Sequence, residues 1–158
     1  MLLMQEECMK KILVPVDGSN VSRKAAEKAV EIGKLINAEI TFITVVNLPS
    51  EDKYSIFGMN VETAFETNRK EMLKKLIHEE TRMLDIIVRN LDYGSLAVTK
   101  KVIVGKASEE IVKMADKEKF DLIVMGRRGF TNIERFFIGS TTQKVLAAAT
   151  CPVMVIQD

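Results

Sequence analysis

Two hydrophobic periods alternate along the chain. Residues 11–16, KILVPV, form a short apolar run that breaks at Asp17-Gly18-Ser19, as a buried strand breaks into a turn. Ala25, Ala26, Ala29, Ile32, Gly33 and Ile36 then recur at three- and four-residue steps, which predicts a helix capped by Ser19 or Ser22. Residues 39–46, EITFITVV, are rich in β-branched side chains and predict a second strand, followed by a loop over 47–60. From about Val61 to Leu91, Phe65, Met72, Leu76, Met83 and Ile87 mark one face of a long helix, long enough to cross a whole sheet, which residues 92–95 end. A third strand over 97–104 leads to Ser108, Glu109 and Glu110, a cap and acidic residues for the first turn of a short helix. Residues 121–125, DLIVM, predict a fourth strand. A helix from about Ser140 to Ala149 and a last strand over 152–157 follow, with Pro152 where a missing N–H is tolerated.

Strands alternating with helices imply right-handed crossovers and a parallel sheet covered on both faces. The expected fold class is therefore α/β: one doubly wound, Rossmann-like domain over residues 1–158, with a five-stranded parallel sheet. KILVPVDGS and DLIVMGRRG both run from strand into turn, and are expected to flank the switch point where such sheets bind ligands.

Composition narrows the functions. The 23 basic and 22 acidic side chains nearly cancel, which offers no handle for nucleic acid or an anionic membrane surface. No run of about 18 apolar residues exists, and Glu6 and Glu7 interrupt the apolar start, so neither a membrane span nor a secretion signal is expected. Cys8 and Cys151 stand far apart, without disulfide-framework or zinc spacing, which suits a reducing cytoplasm.

The candidate chemistry lies in GRRGFTNIERFFIGSTT, residues 126–142. Gly126 ends an apolar strand and Gly129 lies three residues on, so that positive φ and close backbone approach to a ligand are expected there. Gly139 precedes a helix whose first turn holds Ser140, Thr141 and Thr142, and helix amino termini suit phosphate oxygens. Arg127 and Arg128 add positive charge, either for phosphate or as a solvated face. The spacing alone fits ordinary turn and cap chemistry as well as it fits a polyphosphate. It is neither the P-loop pattern G-x-x-x-x-G-K-S/T nor the dinucleotide pattern G-x-G-x-x-G.

The succession KILVPVDGS, VIVGKASEEIV, DLIVMGRRG, then G-x2-G-x9-G-S/T leading to CPVMVI, resembles the universal stress protein family over residues 9–157, and specifically its ATP-binding branch. The resemblance implies an ATP-binding regulatory or stress-response protein. Pro15, Val16 and Asp17 would flank the adenosine, with Val16 backbone groups reading the adenine edge and Val45 as an apolar wall. Gly126, Arg127, Gly129, Gly139, Ser140, Thr141 and Thr142 would line ribose and phosphates, with Arg128 adding charge and Met125 beneath. Mg2+ or Mn2+ would bridge the phosphates. Plain alternatives stand beside two of these roles: Val45 as strand core, and Asp17 as a turn former.

No hydrolytic set is legible, so at most a weak ATPase is expected; a nucleotide-free oligomeric module is the other alternative. In such proteins the last strand commonly forms the homodimer contact, which together with an apolar sheet edge predicts a dimer whose protein partners are unknown. His78, beside Glu79 and Glu80, is expected at the surface, and Phe136 and Phe137 to pack the glycine loop. Residues 1–8 fall outside the resemblance and are expected to be a flexible extension, with Met9 as an alternative start.

Overall fold

The computed structural model describes residues 10–47, 62–128 and 138–157. The elements run β1 (Lys11–Pro15), α1 (Asn20–Ile36), β2 (Glu39–Val46), α2 (Glu62–Arg89), β3 (Val98–Val104), α3 (Ala107–Lys117), β4 (Leu122–Gly126), α4 (Ser140–Ala148) and β5 (Val153–Ile156). All strand pairs are parallel, in the order β3-β2-β1-β4-β5. The chain winds outward from β1 to β3, returns to lay β4 beside β1, and winds outward again to β5. This is the expected doubly wound sheet, and its switch point falls between β1 and β4.

The apolar runs are continuous because both faces of the sheet are covered. Ile12, Val14, Ile40, Phe42, Leu122 and Val124 join Ala25, Ala29, Leu84 and Val88 from α1 and α2 in one core. The residues between them, Leu13, Ile43, Ile123 and Met125, join Ile111 and Ala115 of α3 and Val145 of α4 in the other. The strand period of two thus deals successive side chains to two helical layers. A fully buried residue such as Phe42 contributes about 1.5–3 kcal/mol by leaving water. At the opposite end of the sheet from the switch-point turns, Asp121 Oδ2 accepts the backbone N–H groups of Lys10 and Lys11 at 2.8 Å, fixing the start of β1 against β4.

Two sequence expectations need correction. The long helix packs on β2 and β3 rather than across the whole sheet, and its buried residues are Leu84, Ile87 and Val88. Met72, assigned to the apolar face, is 51% exposed, whereas Met83 is packed against the core; the side chain of Phe65 lies outside the described residues. A helix of 28 residues is about 42 Å long, and an eight-residue strand about 26 Å, so α2 overhangs the sheet it covers. In α3 the cap is Lys106, without a side-chain bond, and Ser108 falls inside the helix.

Candidate functional site

The Asp17-Gly18-Ser19 turn positions the first wall. Gly18 takes φ 84°, which a side chain would disfavour. Asp17 Oδ1 accepts from Ser19 N–H at 3.0 Å and from Ser19 Oγ at 2.6 Å, and Ser19 Oγ in turn accepts from Ser22 N–H at 3.2 Å, capping α1. Asp17 is therefore the turn former its alternative reading described, and its Oδ2 has no partner among the described residues. The Val16 N–H donates to Ile43 O at 2.8 Å, which leaves its carbonyl as the backbone group available to a ligand.

The opposite wall is built where β4 meets α4. Gly126 has no positive φ; it is the last strand residue, and an added Cβ would stand 3.0 Å from Val21 Cγ1 and 3.2 Å from Ser22 N. Its glycine lets the first turn of α1 close over the end of β4, a packing role that corrects the expected backbone freedom. Gly139 is extended as well, with φ −61° and ψ 147°, and caps α4 with no side-chain bond. Its N–H donates to Arg127 O at 2.9 Å, holding the start of α4 to the end of β4. Thr142 is buried and its Oγ1 donates to Gly126 O at 3.0 Å, docking α4 against β4. The N–H groups of Ser140, Thr141 and Thr142 have no protein partner among the described residues, because the first helical bond runs from Gln143 to Gly139 O.

Between these walls lies a cleft of about 410 Å3 over the carboxyl ends of β1, β2 and β4. Of the residues expected at the site, it brings together Pro15, Val16, Asp17, Val45, Met125, Gly126, Arg128, Gly139, Ser140, Thr141 and Thr142. Arg127 does not line it; its backbone N–H is held by Ile156 O at 2.8 Å in the β4–β5 ladder. Gly129, Phe136, Phe137, residues 1–8 and the loop over 48–60 lie outside the described residues. Sequence inspection missed Ser22, Ile43, Thr44, Glu80, Ala107 and Ile111. Ile43 and Thr44 immediately precede Val45 in a strand already placed, so their signal was present. Glu80 carries none, since an acid on a long amphipathic helix looks like any solvated charge.

The cleft is electrically uneven. Amino termini of three helices converge on it, through Ser22 of α1, Ala107 of α3 and Ser140 of α4, and those of α3 and α4 lack side-chain caps. Arg128 adds a formal positive charge there, while Asp17 and Glu80 are the lining carboxylates among the described residues. Among the described residues no group of three or more His, Cys, Asp or Glu stands together to hold a metal ion, and no helix is long and apolar enough to cross a membrane. His78 lies exposed on α2.

Fold and cleft together define a doubly wound α/β protein with a ligand-sized opening at its switch point, lined by helix amino termini. Residues 9–157 match the universal stress protein family, and the chain belongs to it. It is 35% identical over 153 residues to universal stress protein MJ0531 of Methanocaldococcus jannaschii, covering 96% of this chain and 84% of that protein. The solved structure of MJ0577 from the same organism superposes with a TM-score of 0.80 at 28% identity, covering 96% of this chain and 97% of the other. A universal stress protein from Archaeoglobus fulgidus, solved in complex with dAMP, shares the fold with a TM-score of 0.55 at 22% identity, covering 94% and 98%.

Proposed function

We propose that the cleft binds ATP, with Mg2+ or Mn2+ carried on the phosphates, and that occupancy sets a regulatory state in a stress response which partner proteins sense. The observation that carries this reading is the amino terminus of α4, where three adjacent N–H groups without partners among the described residues meet the cleft beside Arg128. Phosphate oxygens are the ligand atoms that such a terminus stabilises best. At the other end, Pro15, Val16 and Val45 offer apolar surface to a flat base, and the Val16 carbonyl offers an acceptor. The ligand of the A. fulgidus protein, dAMP, is an adenine nucleotide too, which supports the choice of base. The described side chains form no metal cage, so a divalent cation would take its ligands chiefly from phosphate and water.

Binding rather than turnover is the role proposed. Among the described residues no lysine lines the cleft, and the two carboxylates there, Asp17 and Glu80, each already accept a hydrogen bond from a protein hydroxyl. Calorimetric titration with Mg·ATP should give saturable heat at one nucleotide per chain, with no phosphate release above buffer; absence of heat overturns the reading. Sustained phosphate release, abolished by a Gly139 substitution, would establish a slow ATPase instead. The proposal extends to a cytoplasmic homodimer joined through β5, which lies at the sheet edge.

A further inference from the structure

Glu80 is the one cleft-lining residue contributed by α2 among the described residues, and it stands on the side of β2. Along β2 the side chains facing α1 and α2 are Ile40 and Phe42, both in the core, and the next on that face is Thr44. Thr44 is 3% exposed, so its hydroxyl requires a partner, and it donates to Glu80 Oε2 at 2.8 Å. An ionised carboxylate offers about four acceptor positions. Thr44 occupies one, and Oε1 has no partner among the described residues. The carboxylate is thus held by a buried neighbour in a half-buried place on the lining of the cleft.

Its place in the sheet order decides what it can meet. Strands β2 and β4 are separated by β1, so their ends lie roughly 10 Å apart. Arg128 and the α4 N–H groups that lack a partner among the described residues belong to the β4 end, and Glu80 belongs to the β2 end. One end is therefore suited to anions and the other repels them. A carboxylate accepts and never donates, so its ligand group must be an N–H or O–H.

Given the nucleotide reading above, on which this inference rests, we propose that Glu80, positioned by Thr44, is a specificity-determining residue that accepts a hydrogen bond from the nucleoside part of the ligand. Two donors share this chemistry, the exocyclic amine of the base and a ribose hydroxyl. The same carboxylate discourages phosphate from entering the β2 end, and so fixes which way round the nucleotide lies.

The test is calorimetric titration of the whole chain and of Glu80→Gln and Thr44→Val with the magnesium complexes of four nucleotides. These are ATP, 2′-deoxyATP, 3′-deoxyATP and the purine riboside triphosphate lacking the amine. Glu80→Gln is expected to bind ATP about tenfold more weakly, the effect of losing a hydrogen bond to a charged acceptor. In the unaltered chain one analogue should show a similar loss, and in Glu80→Gln that analogue and ATP should bind alike. Which analogue behaves so identifies the amine or the hydroxyl. Thr44→Val should reduce the same discrimination, with circular dichroism melts reporting whether each variant folds. If the unaltered chain binds ATP and Glu80→Gln weakens every nucleotide equally or none, the assignment to Glu80 is overturned while nucleotide binding stands. If the unaltered chain binds no nucleotide, the nucleotide reading falls and the assignment with it.

Discussion

Gly126, Thr142 and Cys151 show how single residues divide between scaffold and site. A methyl group at Gly126 would press on Val21 Cγ1 and on the backbone of Val21 and Ser22, which a helix turn cannot yield without moving. Gly126→Ala should therefore destabilise the chain by about 1–3 kcal/mol, the usual cost of overpacking, measured as a lower urea midpoint at unchanged slope. Thr142→Val keeps the shape and removes the bond to Gly126 O, leaving a buried carbonyl without that partner; a loss of about 1–3 kcal/mol is expected by the same measurement. Burial pushes the Cys151 thiol above its ordinary value, with Asp121 adding to the effect and a backbone hydrogen bond opposing it. Since the thiolate is the reactive form, the single thiol of a Cys8→Ser chain should react with a disulfide reagent at pH 8 several times more slowly than free cysteine. A folded-state value raised in this way leaves stability intact below the unfolded thiol's value and withdraws it as pH rises through the folded one.

At the scale of elements, α1 depends on a cap that is also a cleft wall. Ser19→Ala removes the acceptor for Ser22 N–H and the donor to Asp17, so the chain should lose about 1 kcal/mol in urea titration. The strands and helices were legible in the sequence because each signal was local: apolar runs ending in turn residues for β1 and β4, and small residues at helical spacing for α1. The site was legible where it follows directly from those ends, at Pro15, Val16, Asp17, Gly126 and Gly139 to Thr142. What was not legible depends on tertiary placement. The burial of α2 at Leu84, Ile87 and Val88 but not Met72 is set by how far the helix overhangs the sheet. Glu80 enters the cleft only because that helix crosses Thr44, and Arg127 is withdrawn because β5 claims its backbone. Gly126 lines the cleft without the positive φ expected of it, and its need for glycine arises from α1, over a hundred residues earlier in the chain.

The whole molecule has two sheet edges, β3 and β5, and they differ. Lys100 and Lys101 on β3 pair with Asp85 and Glu118, which puts charge along that border. β5 carries no charged residue, and Met154 on it is 37% exposed. The bonds from Ile123 N–H to Pro152 O and from Arg127 N–H to Ile156 O set the parity of the ladder, by which the Val153 and Val155 amides turn away from β4. Val155→Pro should then leave the fold intact by circular dichroism and convert the proposed dimer to a monomer in sedimentation; a dimer that persists in the variant would move the contact elsewhere, and an unaltered chain that sediments as a monomer would remove the proposal. Finally, the bond from Gly139 N–H to Arg127 O moors the residue that begins α4 to the one that follows β4. That bond joins two main-chain groups, so the spacing between the end of β4 and the start of α4 depends on backbone rather than on either side chain. The frame that presents the amino terminus of α4 to the cleft is in this way indifferent to most exchanges at positions 127 and 139 themselves, proline at 139 excepted.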